Sequence, residues 1–93
     1  MNKEDCRSVL QEDFSKRLET GKFAVHHVFP GSRRRICERY GFLYALTPQT
    51  HAMIHDNPNE GMDLFMKQDA QRWFESHIGG RKEFIEEFGR SYL

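Results

Sequence analysis

Apolar residues recur along the chain with helical spacing at both ends. A four-residue spacing of Cys6, Leu10, Phe14 and Leu18 predicts a helix over residues 3–19 that ends near Gly21. In the C-terminal part, apolar residues spaced by three and four predict a long amphipathic helix that stops at Gly79-Gly80. Its apolar positions are Met62, Phe65, Met66, Ala70, Trp73, Phe74 and Ile78. We expect this helix to supply most of the core, and a last two-turn helix with Phe84, Ile85 and Phe88 to follow it.

Between these helices the pattern changes to short β-branched and aromatic runs. Residues 22–29 and 42–46 predict two strands, and the first strand breaks at Pro30-Gly31. Ser32 can cap a short helix that reaches Tyr40 and ends at Gly41. Thr47 followed by Pro48 predicts the start of another helix over residues 49–55, because threonine accepts an unpaired amide and proline suits the first helical position.

These elements predict one α+β domain of 93 residues. Residues 1–21 form an N-terminal helix, residues 22–56 form a β-hairpin followed by a helix, and residues 60–93 form the C-terminal helices. With 38% hydrophobic and 30% charged residues, the chain has the composition of a globular protein. A domain of this size buries a modest core and often needs a disulfide or a metal ion for stability.

Composition and charge narrow the function classes. Fourteen basic residues balance fourteen acidic ones, so the whole domain has no bias towards nucleic acid or membrane, but residues 21–40 carry a local charge of +4. The chain contains no apolar run of about 18 residues and no apolar leader, so we expect a cytoplasmic protein without a membrane partner. Cys6 and Cys37 are too few for a disulfide framework and are interpreted as small core residues.

Four of the five histidines form two pairs that carry the chemistry in this sequence. His51 and His55 are four residues apart, so a helix places both imidazoles on one face, where they can share a divalent ion. His26 and His27 are adjacent in a strand and point to opposite faces. One of them can complete the metal site while the other acts as a general base, since an imidazole titrates near neutral pH.

Each of these signals also has a structural interpretation. A single pair of histidines on a helix is more often structural or incidental, but two pairs beside turn signals, with a basic run between them, favour a metal site. His77 is expected to be a core or helix-terminal histidine. Asp56 and Asn57 are interpreted as the end of a helix, and Tyr40 and Tyr44 as core residues.

A basic run follows the first histidine pair. It consists of Arg33, Arg34, Arg35 and Arg39. Because the arginine side chain binds phosphate oxygens in a bidentate manner, we expect this run to contact a phosphate backbone. Three consecutive residues of a helix cannot share one face, so at least one arginine should be solvated or paired with Glu38.

Taken together, these motifs resemble those of the HNH endonuclease family, whose fold is a ββα-metal finger. The resemblance covers residues 22–93, and within this family the chain is similar to small HNH-like proteins of bacteriophages and prophages. The segments that carry it are His26-His27-Val-Phe-Pro-Gly-Ser-Arg, Glu38-Arg-Tyr-Gly, His55-Asp-Asn-Pro and Phe88-Gly-Arg-Ser-Tyr-Leu93.

The resemblance implies a metal-dependent endonuclease that hydrolyses phosphodiester bonds of DNA in a bacterial host cell. His26, His51 and His55 would hold one divalent ion, which would be Mg, Mn, Ni or Zn, and His27 would be the general base that activates water. The asparagine that orients this base in the family falls at Gly41 or Phe42 here, so a backbone carbonyl can take its place. Many members of the family carry paired cysteines that bind a structural zinc ion. The corresponding stretch of this chain has Thr47 and Thr50, which cannot bind zinc, so the long helix would have to stabilise the finger by packing.

Two alternatives to an active nuclease remain open. The first is a nucleic-acid-binding module that keeps the finger but has little or no catalysis, and the missing asparagine favours it. The second is a metal-stabilised domain that binds other proteins of a phage complex, which the net neutrality favours. A homodimer and a phage protein partner are two ways in which nicking of one DNA strand could become cleavage of both, and the sequence does not choose between them.

Overall fold

The computed structural model describes residues 8–93, which form an α+β domain with one two-stranded antiparallel sheet. In chain order its elements are α1 (Ser8–Glu19), β1 (Ala24–His27), a 3-10 turn (Gly31–Arg33), α2 (Arg34–Tyr40), β2 (Leu43–Leu46), α3 (Pro48–Asp56), α4 (Gly61–His77) and α5 (Arg81–Phe88). The predicted α+β class is therefore confirmed. The first residues of the predicted N-terminal helix, and with them Cys6, lie outside the described residues.

β1 and β2 pair in a register that places His26 opposite Tyr44 and His27 opposite Leu43. Both strands are shorter than the sequence predicts. The first one ends at His27, because the chain turns into the core at the buried residue Val28. Gly41 ends α2 as predicted, in a left-handed conformation with φ of 75° that costs glycine little.

Two predicted helix starts have different outcomes. The hydroxyl of Thr47 accepts a hydrogen bond from the amide of Thr50 at 3.2 Å, with Pro48 in the first turn of α3, as predicted. The predicted cap at Ser32 is wrong. Ser32 lies inside the 3-10 turn, so Arg33 takes the N-cap position of α2 without a side-chain cap in the described chain.

The core lies between the hairpin, α2 and the C-terminal helices. Its buried apolar residues are Val28, Phe29, Cys37, Phe42, Ile54, Met66, Ala70, Phe74, Phe84 and Phe88. Only three of these ten come from α4, so the prediction that this helix supplies most of the core is wrong. Met62 and Phe65, predicted on its apolar face, are 47% and 63% exposed, because nothing among the described residues covers that side of the first two turns.

Buried polar groups fasten the connections around α4. Lys67 donates hydrogen bonds to Asp63 at 2.9 Å and to the side-chain oxygen of Asn59 at 2.8 Å, and the amide of Asn59 donates to Asp63 at 2.7 Å. At the other end, the fully buried side chain of Gln71 accepts a hydrogen bond from the amide of Tyr92 at 2.7 Å. Pairing of this kind offsets the desolvation cost of burying charged and amide groups.

None of the helices within residues 8–93 combines the length and the apolar character needed to cross a lipid bilayer.

Phe29 joins the hairpin to the C-terminal helices, so a substitution at this residue tests the packing of the core. Its ring lies 4.5 Å from that of Phe88, 5.8 Å from that of Phe84 and 6.1 Å from that of Phe42, measured between centroids. We expect Phe29→Ala to lower the free energy of unfolding by about 3–5 kcal/mol, since the cavity cannot refill. Phe65→Ala, at an exposed position, should change it by less than about 0.5 kcal/mol. Urea denaturation of both variants checks this, and equal effects would contradict the described core.

Candidate metal centre

His26 is held in the interior where β1 meets α3. α3 packs against both strands of the hairpin and buries Ile54, and this packing brings the rings of His51 and His55 against that of His26. His26 is only 4% exposed, whereas its neighbour His27 is half-buried. The two adjacent histidines therefore differ in environment, as the alternation of a strand predicts.

Three imidazoles meet at this point. The Nε2 atoms of His51 and His55 lie 3.0 Å apart, which the helical spacing of four residues makes possible. The ring of His26 meets both edge-on, with centroid distances of 5.4 Å to His51 and 5.9 Å to His55. One nitrogen from each residue lies within 4.8 Å of the others. The structure thus brings together the three residues that the sequence predicts as metal ligands.

The electrostatics of the cluster favour the neutral form of His26 and His51. Burial, together with the neighbouring His51, lowers the pKa of His26 to about 4. Burial and the proximity of His55 also lower the pKa of His51. A neutral imidazole is the form that binds a metal ion, so these environments favour the ligating state at neutral pH.

The cluster fits one divalent ion. Nε2 of His26 is buried and has no hydrogen-bond partner among the described residues, which costs free energy unless something binds it. Two imidazole nitrogens that bind one zinc ion at about 2.0–2.1 Å in tetrahedral geometry lie roughly 3.3 Å apart, close to the separation between His51 and His55. Three histidine ligands with an open fourth position are typical of catalytic rather than structural zinc sites.

His27 has a partner that the sequence analysis missed. Its Nε2 lies 3.2 Å from Oε1 of Glu38, which α2 presents. The sequence suggested Glu38 only as a partner for an arginine, and a backbone carbonyl as the group that orients His27. No spacing rule relates residues eleven positions apart across a turn and a helix, so the sequence carried no signal for this pair.

The four arginines of the basic run separate in the structure. Arg34 lines the cleft next to the histidines, and Arg35 is exposed. Arg33 instead packs on the end of α5, where its Nη2 atom would lie 2.6 Å from a Cβ at Gly89. Arg39 interacts with the hydroxyl of Tyr40, and that hydroxyl donates a hydrogen bond to Glu87. Arg34 is therefore the arginine of the run that lies at the histidine cleft, whereas Arg33 contacts the C-terminal part of the domain and Arg39 interacts with Tyr40.

The histidines and Arg34 surround a cleft of about 70 Å³. Its lining residues are Val25, His26, His27, Pro30, Arg34, His51 and His55. A larger depression of about 480 Å³ lies between the end of α3 and the start of α4, beside Met53 and Met62, and none of the histidines lines it. The small cleft is the better candidate site, because ligating and basic groups converge there.

Three further residues that the sequence analysis singled out have structural roles. Asp56 is the last residue of α3, and Asn57 caps its end by donating from its side chain to the carbonyl of Met53 at 2.9 Å, so both form a helix end as predicted. His77 is the last residue of α4 and stacks on Trp73 at a centroid distance of 4.9 Å, away from the cluster.

Comparisons of this chain with protein families, with curated proteins and with solved structures find no match. The interpretation of the site therefore depends on its own geometry.

Binding of an ion at the cluster should be measurable as thermal stabilisation. An ion that binds the folded protein at a hundred times its Kd contributes about 2.7 kcal/mol, which in a domain of this size raises Tm on the order of 10 °C. We expect this shift when Zn or Ni ions are added to chelator-treated protein. His51→Ala should remove most of it, because a ligand is lost.

The matched control for that measurement is His77→Ala, which removes an exposed histidine outside the cluster. This variant should keep the full shift. An unchanged Tm of the native protein with and without the ion, or an equal shift in His51→Ala, would contradict the metal site.

Proposed function

We propose that this protein is a metal-dependent endonuclease that hydrolyses phosphodiester bonds of DNA, as its resemblance to the HNH endonucleases implies. The observation that carries the proposal is the convergence of four histidines and one arginine on a single cleft. Three of the histidines are suited to hold an ion, and the fourth has a different environment and remains for proton transfer. Such a division of roles is what phosphodiester hydrolysis requires.

In this proposal His27 is the general base. It accepts a proton from a water molecule while the water oxygen forms a bond to phosphorus, and the bond between phosphorus and the 3′-oxygen breaks. The products are a 5′-phosphate and a 3′-hydroxyl end, and solvent protonates the leaving oxygen. His26, His51 and His55 would hold one divalent ion, which would stabilise the negative charge that develops during the reaction.

Arg34 binds and orients the phosphate. Its guanidinium can donate two parallel hydrogen bonds to phosphate oxygens, which fixes the reacting group next to His27. Because the domain has no net charge, a contact of this kind has to supply much of the local attraction for DNA. Weak sequence preference is expected from a site that contacts the backbone rather than the bases.

Nicking of supercoiled plasmid tests the role of His27. Protein stripped of metal is resupplied with Mg, Mn, Ni or Zn ions, and His27→Ala is purified alongside. We expect the variant to cleave roughly 100-fold more slowly or worse, the usual scale for loss of a general base. Its thermal shift with the ion should remain that of the native protein.

Two results would count against this assignment. If His27→Ala also lost the thermal shift, His27 would be a ligand rather than the base. If the native protein bound the ion but cleaved with none of the four, the binding-module alternative would replace the nuclease.

Salt-dependent DNA binding tests the role of Arg34. We expect Arg34→Gln to weaken binding of a short duplex and to reduce the slope of log K against log salt by about 1, as loss of one phosphate contact does. Arg35→Gln removes the same charge from the neighbouring exposed position and should have the smaller effect. If both variants lost DNA affinity equally, the result would argue that DNA does not bind at the cleft.

A further inference from the structure

The contact between His27 and Glu38 determines which ring nitrogen of His27 is available. A carboxylate only accepts hydrogen bonds, so at 3.2 Å the Nε2 atom must carry the hydrogen and donate it to Oε1 of Glu38. A neutral imidazole has one hydrogen and one lone pair on its two nitrogens. The lone pair that can accept a proton from water is therefore on Nδ1.

The position of Glu38 relative to His27 is fixed by the core. The adjacent residue, Cys37, is fully buried, and its Sγ accepts a hydrogen bond from the amide of Phe29 and donates one to the carbonyl of Phe29, both at 3.3 Å. Phe29 follows His27 by two residues, so this pair of bonds ties α2 to the end of β1 next to the histidine. The buried hydrogen bonds between Cys37 and Phe29 thus help to hold Glu38 next to His27.

Glu38 also lies on the face of α2 that is turned towards the cleft. Arg34 and Glu38 are four residues apart on this helix, which places both side chains on one face. Arg34 lines the cleft, and Glu38 contacts the ring of His27, which lines it too. One helix face therefore carries a phosphate-binding group and a partner for the base.

From these contacts we propose that Glu38 is the positioning residue of His27, which it holds as the Nε2–H tautomer with Nδ1 as the proton acceptor. This inference rests on the proposed nuclease function. The Glu38 side chain is 59% exposed, so solvent screens much of its charge and the hydrogen bond acts mainly by orienting the ring. An amide oxygen at the same place should do nearly as well.

The tautomer of His27 tests this proposal without any measurement of activity. Long-range ¹H–¹⁵N NMR spectra of histidine-labelled protein, recorded with and without Zn at a pH where the ring is neutral, separate the two tautomers. The His27 signals are assigned by their loss in His27→Ala. We expect a protonated Nε2 and a bare Nδ1 in the native protein, and a mixture of tautomers in Glu38→Ala. A protonated Nδ1, or unchanged His27 signals in Glu38→Ala, would overturn the proposal.

Plasmid cleavage tests the consequence for the reaction. Glu38→Ala should lower the rate at saturating DNA about 10- to 100-fold without weakening DNA binding or reducing the ion-induced rise in Tm. Glu38→Gln keeps a hydrogen-bond acceptor and should restore most of the rate. Glu86→Ala removes a negative charge from an exposed site on α5 and should leave the rate unchanged.

The outcomes of these experiments are distinguishable. A normal rate at saturating DNA in Glu38→Ala, with only DNA binding changed, would overturn the positioning role. If the native protein cleaved no DNA with any ion, the proposed nuclease function would fail, and the NMR spectra would still decide whether Glu38 orients His27.

Discussion

Packing of α3 against the hairpin buries one imidazole nitrogen that no described protein group satisfies, and the arrangement of the site depends on this constraint. Burying His26 with its Nε2 unpaired costs free energy, because a polar atom in the interior loses its hydrogen bonds to water. His51 and His55 lie directly above it, with their own nitrogens 3.0 Å apart. A single ion would satisfy all three, and its binding energy would become part of the stability of the domain.

The same packing separates the two adjacent histidines. Val28 and Phe29 carry the end of β1 into the aromatic core, so the preceding strand presents His26 to the interior and His27 to the cleft. Cys37 then fastens α2 to Phe29, and Glu38 reaches His27 from that helix. The residues of the proposed site thus lie on segments that are fixed by buried contacts, which is what a preorganised site needs.

The arginines of the basic run have different surroundings in the structure, which their order in the sequence does not distinguish. Arg33 contacts the C-terminal part of the domain at Gly89, and Arg39 interacts with the hydroxyl of Tyr40 on its own helix, while Arg34 lines the cleft. A helix directs consecutive residues about 100° apart, so one charge-rich segment can both pack against a neighbouring helix and line a cleft. The local charge of +4 therefore overstates the number of groups that are available to a phosphate backbone.

Local spacing by itself determined much of this protein. The period of four in α3, the strand alternation at His26 and the cap at Thr47 each follow from interactions within a few residues, and the sequence predicts them correctly. Tertiary structure alone decided which face of the long helix is covered, so that Met62 and Phe65 are exposed although their spacing predicts burial. It also decided that Glu38 rather than a backbone carbonyl contacts His27, because the path of the chain between them depends on how Cys37 docks in the core, and no periodicity encodes that path.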